Sequence, residues 1–454
     1  MPATVATLGG LVGRRILAAA LLALCVSGAA AAATVRSATD PLEPQEWWLS
    51  HVGADRAVAP GPGVPISIVD SGTDPTHPEF ASRPSTTFLN TQTVLGREEY
   101  HGTVVASIAA APANDVGIVG VYPTATLDVY DASGDSRGIS DFAATTGILA
   151  AAQHCPGVIN LSFGSTQQDE QLQDAILTAV HNGCLVVAAA GNSGDFGSPT
   201  TYPASWPHVF TVGATDASDL TASFTTSSPA MDVSAPGVDM VGAVPPTRNA
   251  SGYQDGFSGT SFSAPIVTAA AAWVWTARPS LTATQLAGVL RLSARDIGPP
   301  GFDNASGWGI LDIPAALAAA VPPNDPFEPN DDVDQVKPGK LFELGQQPLT
   351  MPGKPSIRIA ATLDSSEDPH DLYRVWVPAR RTVRASVGPG GDAAVRIWGP
   401  KTARLNEGLK ARRRDLRGPS IRAEKKGFEA YVEVLLTGRS NEARYTLSVT
   451  AASH

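Results

Sequence analysis

Residues 64–80 read VPISIVDSGTDPTHPEF. The run from Ile66 to Val69 is short and apolar apart from Ser67, the pattern of a strand buried on both faces in a parallel sheet covered by helices. Asp70 closes it, and a turn-rich segment follows. An acid at the end of such a strand has two readings. It caps the turn beyond, or it is a working carboxylate at the carboxyl edge of the sheet, where open α/β sheets gather their ligands.

Outward from this segment the same texture recurs. ATLDVYD (125–131), GVINLSF (157–163), CLVVAAAG (184–191) and VFTVGAT (209–215) read as further buried strands, while SDFAATTGILAAAQH (140–154) and DEQLQDAILTAVHNG (169–183) have helical spacing with polar starts. Strands separated by helices predict right-handed crossovers, hence an α/β domain with a parallel sheet and helices on both faces. Three more polar groups fall at strand exits or helix starts. His101 opens HGTVVASIAAA, where a glycine permits close backbone approach, Asn192 follows VVAAAG, and Ser261 begins the helix of GTSFSAPIV (259–267). Pro265 is expected in the first turn or so of that helix, where its missing N–H costs little.

These four kinds of group suit nucleophilic acyl transfer. A serine hydroxyl is too weak an acid to attack a carbonyl unaided, so an imidazole must take its proton and return it to the leaving group. A buried carboxylate holds the imidazole in the required tautomer. A neutral amide and a backbone N–H at a helix start stabilise the oxyanion. Taken singly, each residue is more simply a turn cap, a loop histidine or an N-cap serine.

IVDSGTDPTHPEF, HGTVVAS, INLSFG, AAAGN and GTSFSAP, in this order, resemble the aspartate, histidine, substrate-strand, oxyanion and serine motifs of the subtilisin-like serine proteases (subtilases), and GWGILDIPAAL (307–317) is similar to the family's closing segment. The resemblance runs over roughly residues 41–320. It implies a subtilisin-like fold and an endopeptidase in which Asp70 orients, His101 is general base and acid, Ser261 is the nucleophile and Asn192 donates to the oxyanion. It also implies that Ser162, Phe163 and Gly164, with Ala189, Ala190 and Gly191, line the primary specificity pocket. The segment from Ser136 to Gly138 would pair with an extended polypeptide substrate as an added strand. Thr201 matches the pocket floor, where a residue larger than glycine shortens the pocket and favours small or medium apolar side chains. Calcium is the implied structural cofactor, held by Glu79 and the loop around Asn114, although aspartate is the usual acid at the place of Glu79. No cofactor is required for the chemistry. A silent binding protein on a protease fold, and an esterase using the same triad, are the alternative functions.

The chain of 454 residues has room for two domains. Arg14 and Arg15 precede the apolar run ILAAALLALCVSG, and alanines follow it, so residues 1–33 read as an export signal and the expected product is secreted, extracellular or periplasmic. Little room for a prosegment is expected between Ala33 and EPQEWWL; help in folding from the carboxy-terminal domain is the corresponding expectation. Residues 34–330 carry 9 Lys/Arg against 28 Asp/Glu, net −19, and residues 331–454 carry 21 against 15, net +6. That asymmetry argues against a nucleic-acid role for the front part. Cys155 and Cys184 lie at matching places in successive helix–strand units; in an exported protein they read as a disulfide, the alternative being two buried thiols.

Past the peptidase region (34–321), PPNDPFEPNDD reads as a linker over 322–335, and short runs of β-formers between Gly/Pro turns predict a small β-sandwich domain over 336–454. FEPND and DPHDLYRVWVPA are similar to the bacterial pre-peptidase carboxy-terminal domain. The basic stretch 401–426 reads as a solvated loop or as a contact for a cell-wall or other anionic polymer. There is no phosphate-binding glycine loop, no zinc-type Cys/His spacing and no membrane span beyond the signal.

Overall fold

The structure is a computed structural model that describes residues 40–81, 83–93, 100–133, 138–322, 348–364, 370–388, 392–400, 409–410, 418–437 and 442–452. The expected signal, nearly all of the linker, Ser136 and most of the basic stretch lie outside them.

Seven parallel strands form one sheet: β1 Ile66–Asp70, β2 Thr86–Phe88, β3 Leu127–Asp131, β4 Val158–Leu161, β5 Leu185–Ala189, β6 Val209–Thr215 and β7 Met231–Pro236, in the order β2-β3-β1-β4-β5-β6-β7. A two-stranded antiparallel ribbon follows, β8 Met240–Ala243 with β9 Tyr253–Phe257. The helices are α1 Trp48–His51, α2 Pro78–Ala81, α3 His101–Ala110, α4 Asp141–Ala151, α5 Glu170–His181, α6 Thr260–Ala277, α7 Ala283–Leu292 and α8 Ile313–Ala318.

Strand side chains alternate between two cores because the side-chain period is two. Ile66, Ile68, Val187 and Ala189 pack with α3 and α6 on one face; Val69, Val186 and Ala188 pack with α4 and α5 on the other. With both faces covered, every residue of β1, β4, β5, β6 and β7 is buried. The two central helices follow the same logic. In α3 only His101 escapes full burial, and α6 is buried from Phe262 through Trp275; helices this apolar all round belong inside a core. Cys155 and Cys184 are bonded, Cα to Cα 5.1 Å, which ties the chain after α4 to the start of β5.

In the tail, two four-stranded antiparallel sheets run β10-β17-β12-β15 and β11-β16-β13-β14. Their strands are β10 Ile357–Asp364, β11 His370–Val377, β12 Thr382–Val387, β13 Ala393–Trp398, β14 Leu409–Lys410, β15 Ser420–Arg422, β16 Phe428–Leu436 and β17 Glu442–Ala452. Val375, Val432 and Ile397 of one sheet share a core with Val383, Leu447 and Val449 of the other, as the alternating pattern predicts for a sandwich. No helix among the described residues is long and apolar enough to cross a membrane.

Candidate active site

Asp70 ends β1 and is 1% exposed. Directly after it the chain doubles back over the start of α3. Gly102 N donates to Ser71 Oγ (3.1 Å), Thr73 Oγ1 to Gly102 O (3.2 Å) and Asp74 N to Thr103 Oγ1 (3.0 Å). No side chain of the residue before α3 caps that helix; Ser71 satisfies one of its free N–H groups instead. The fit is close enough to require glycine: a Cβ on Gly102 would lie 2.3 Å from the Gly72 carbonyl oxygen. This clasp sets His101, the first residue of α3, against Asp70, with Nδ1 to Oδ1 at 2.8 Å.

A carboxylate only accepts, so the Nδ1 proton belongs to His101 and Nε2 is left as the basic nitrogen. Burial opposes the imidazolium, but the charge and hydrogen bond of Asp70 outweigh it, and the His101 pKa lies above its ordinary value of 6.5. Phe262, from the first turn of α6, packs on the imidazole at 5.6 Å between ring centroids.

Ser261 is the second residue of α6, where backbone N–H groups have no partner within the helix. The helix begins one residue earlier than the sequence suggests, with Gly259 as its cap, and Pro265 sits inside it rather than in the first turn. The Ser261 hydroxyl donates to Ser162 O at 3.1 Å; no hydrogen bond joins it to His101. In return Ser162 Oγ donates to Ser261 O (2.8 Å) while accepting from Asn160 Nδ2 (2.9 Å), and Asn160 Oδ1 accepts from Thr268 Oγ1 of α6 (3.1 Å). β4 and α6 are thus stitched together beside Ser261.

Asn192 lies past the end of β5. Its Oδ1 accepts from both Thr260 N (2.9 Å) and Thr260 Oγ1 (3.0 Å). Two donors on one end of the amide fix its orientation and leave Nδ2 as the outward donor. Thr260 Oγ1 also accepts from Gly191 N (3.1 Å). Sequence reasoning missed Thr260, although the threonine directly before Ser261 in GTSFSAP was the signal that could have found it.

A cleft of about 350 Å³ opens beside Asp70 and His101, lined by Ser162, Phe163, Gly164 and Gly138 among others. The sequence did not single out Ile139, Asp141, Ala144, Leu172 and Tyr202, which also line it. Ala189 and Ala190 are 3% and 2% exposed and are not among the residues that line the cleft. Thr201 is wedged between two glycines. Its Cγ2 is 2.9 Å from the place of a Cβ on Gly164, and its Oγ1 is 3.0 Å from the place of one on Gly191, whose φ is +104°. Thr201 therefore closes the space between those two glycines.

Glu79 and Asn114 meet around the loop after α3. Glu79 is fully buried; its Oε1 accepts from Ile118 N (3.2 Å) and Tyr253 OH (2.8 Å), and the Asn114 side chain approaches the same carboxyl, although among the described residues no group meets its Oε2 at full hydrogen-bond geometry. Asp40 Oδ1 accepts from Asn114 N and Val116 N on the same loop. Burial raises the Glu79 carboxyl to about 7, with hydrogen bonds from Tyr253, Ile118 and Asn114 opposing and Asp40 adding to the rise. No group of three or more acidic, His or Cys side chains suited to a metal occurs among the described residues. A carboxylate oxygen short of full hydrogen bonding, beside a second acid, still fits an oxygen-coordinated cation completed by neutral oxygens.

Residues 61–309 match the subtilase family. The chain is 35% identical over 275 residues to Subtilisin BL of Lederbergia lenta, covering 60% of this chain and 97% of that protein. It is 34% identical over 260 residues to Subtilisin amylosacchariticus of Bacillus subtilis subsp. amylosacchariticus, covering 56% of this chain and 66% of that relative, just under two thirds of its length. Among solved structures it is similar to the psychrophilic subtilisin-like protease Apa1 from the Antarctic psychrotroph Pseudoalteromonas sp. AS-11, with a TM-score of 0.54, 20% identity, and coverage of 60% of this chain and 97% of that one. The sheet order, the Asp70–His101 pair at the carboxyl edge and this match over more than half the sequence agree, and the chain belongs to the subtilase family.

Proposed function

We propose that this protein is a secreted serine endopeptidase that hydrolyses peptide bonds through Asp70, His101 and Ser261, with Asn192 in the oxyanion hole. The observation that supports it most is the buried Asp70 carboxylate bonded to His101 Nδ1 at 2.8 Å, which leaves Nε2 as the basic nitrogen of a ring that packs on Phe262 in the first turn of α6.

In the proposed reaction the Ser261 hydroxyl turns from Ser162 O toward His101. Nε2 takes its proton as Oγ bonds to the substrate carbonyl carbon. The carbonyl oxygen gains the negative charge and receives hydrogen bonds from Asn192 Nδ2 and Ser261 N–H. Collapse breaks the C–N bond, and the imidazolium hands its proton to the departing amine, leaving an acyl-enzyme. Water then repeats the sequence, giving its proton to His101 and its oxygen to the acyl carbon, and Ser261 recovers its proton. Asp70 stays ionised throughout and favours the imidazolium.

Polypeptide in extended form is the substrate this reading requires, lying as a strand along Ser162–Gly164. Thr201 shortens the primary pocket, which favours small or medium apolar side chains. A calcium ion at Glu79, Asp40 and Asn114 would be structural: it would neutralise the paired carboxylates and brace the loop after α3.

The test is labelling by a serine-directed fluorophosphonate together with peptide cleavage. Wild type is expected to label at Ser261 and cleave peptides, and Ser261→Ala to do neither. Loss of labelling in wild type points to the silent binding protein, and turnover of esters without peptides to the esterase. Export is tested by sequencing the amino terminus of protein recovered from outside the cytoplasm, which is expected near Thr34.

A further inference from the structure

The charges on one face of the carboxy-terminal sandwich are sorted by sign. In the β10-β17-β12-β15 sheet Val383, Ala385, Ile421 and Val449 pack in the core, so the side-chain period of two turns Thr382, Arg384, Ser420, Arg422 and Thr450 outward. Arg384 lies between Ser420 and Thr450 in the register, and Thr382 lies opposite Arg422. Arg384 and Arg422 are therefore diagonal neighbours on that face, about 7–8 Å apart. The acids of this sheet, Asp364 and Glu442, stand opposite each other at its other end.

Two turns enlarge the cationic end. The turn into β12 carries Arg380 and Arg381, the turn out of β15 carries Lys425 and Lys426, and Ala423 N donates to Arg381 O at 3.1 Å, which holds the two turns side by side. Residues 378–388 and 418–427 together hold these four cations, Arg384 and Arg422 against one acid, Glu424. Arg384 is half-buried and the other five are exposed, and among the described residues none of them has an ion-pair partner. The acids of the neighbouring sheet are engaged elsewhere, Glu429 with Arg374 and Glu433 with Arg396 and His370. Residues 401–417, which run toward β15 and lie largely outside the described residues, add seven Lys/Arg against two Asp/Glu in sequence. Like charges gathered without partners do not serve the fold.

The chemistry of the face selects among anionic partners. The whole chain carries a net charge of −11, so overall charge repels a polyanion and only a local cluster can hold one. Guanidinium forks bind carboxylates through paired hydrogen bonds. The hydroxyls of Thr382, Ser420 and Thr450 beside them can both donate to and accept from sugar hydroxyls. Nucleic acid is matched less well, because residues 378–388 and 418–427 contain no Phe, Tyr or Trp on which a base would stack. A lipid surface is matched less well too: Met351, the exposed large apolar residue of the described sandwich, lies on neither segment.

We infer that this end of the sandwich is a binding face for an acidic polysaccharide, with Arg384 and Arg422 gripping its carboxylates and the cations of the two turns drawing the polymer in. The face extends the contact expected of the stretch 401–426 to β12 and the turn before it. It holds the protein on a carboxylated matrix and does not depend on the chemistry at Ser261.

The experiment measures binding of the full chain to immobilised polygalacturonate, with neutral dextran as the blank. Binding is expected at about 0.05 M salt and should weaken at least roughly tenfold at about 0.5 M, where surface charges are screened. Arg384→Gln combined with Arg422→Gln should weaken it roughly five- to tenfold, the yield of two exposed charge contacts. Arg384→Lys combined with Arg422→Lys should cost only about twofold, because the charge stays while the fork is lost. Arg444→Gln, at the other end of the same sheet, should cost less than about twofold. Circular dichroism spectra should match throughout. No binding at low salt, an equal loss in Arg444→Gln and the double glutamine variant, or tighter binding to single-stranded DNA or to phosphatidylglycerol vesicles than to polygalacturonate overturns the inference. A wild type that binds polygalacturonate in this way but neither labels at Ser261 nor cleaves peptides upholds it while removing the proteolytic reading.

Discussion

Pro265 stands four residues after Ser261 in α6, and because proline has no N–H the Ser261 carbonyl is free to accept the Ser162 hydroxyl at 2.8 Å. A gap in the helical ladder thereby becomes the attachment point of the substrate strand. Ser261 is thereby held through its own backbone carbonyl, by a residue just past β4 that also lines the cleft.

Ser162→Ala should loosen that attachment and leave Asn160 Nδ2 and the Ser261 carbonyl unpaired. The expected cost is about 1–3 kcal/mol of stability, the scale of stranding buried polar groups. Turnover should fall about tenfold with little change in KM, because the misplacement is felt where Ser261 attacks. Chemical denaturation and steady-state kinetics on a peptide substrate check the two effects separately.

Asn192→Ala should reduce kcat about 100- to 1,000-fold while KM changes little, the size of effect that loss of the equivalent amide donor has in a subtilisin. Thr260→Val, which removes the hydroxyl that holds Asn192 Oδ1, should give a smaller loss, on the order of tenfold for a misoriented donor. Full turnover in Asn192→Ala would contradict the assignment.

Activity should switch on as pH rises through the pKa of His101, because the base must be neutral, and that midpoint should lie above 6.5 in the profile of kcat/KM. The stabilising part of the interaction has the opposite sense. A histidine raised by its partner adds stability that is complete below its unfolded pKa and is lost as pH passes upward through the folded value. Asp70→Asn removes the cause of the rise, so its residual activity, down by about 10,000-fold on the triad precedent, should show an acidic limb moved to lower pH.

Glu79 makes a separate prediction. A carboxyl raised to about 7 keeps its proton in the fold at pH values where the unfolded chain has released it. Stability should therefore fall as pH climbs from 4.5 toward 7, by roughly 3 kcal/mol in all. Added calcium should reverse the fall, with binding tightening as pH rises through that window, and Glu79→Gln should flatten both responses. Melting temperatures across pH, with calcium and with a chelator, provide the check.

How far the sequence can be read follows from the kind of signal each part carries. The central strands are legible because burial on both faces leaves short, largely apolar runs, and Asp70, His101, Asn192 and Ser261 are legible because they stand at the strand exits and helix starts that follow such runs. The sandwich strands are legible from their alternation. Thr260, Asn160 and Thr268 are not, since a polar residue that serves by hydrogen-bonding another polar residue looks like any other core threonine or asparagine until the partner is seen. Asp141 and Leu172 reach the cleft from two helices that the sequence presents only as amphipathic packing elements. Pro265 lies deeper in its helix than the sequence suggests because the helix begins before the serine, and propensity alone does not reveal that Ser162 compensates for its missing donor.

The contact between Gly102 and the Gly72 carbonyl has a consequence for how this molecule can vary. Main chain meets main chain there, so the separation of the acid from the base is dictated by two stretches of peptide backbone and not by the bulk of any neighbouring side chain. The walls around them, Asp141, Ala144 and Thr201 included, can be exchanged without altering that separation. Selectivity can diversify on such a scaffold while the proton-handling pair remains a fixed inheritance, and engineering for new substrates should begin at those walls and leave Gly102 untouched.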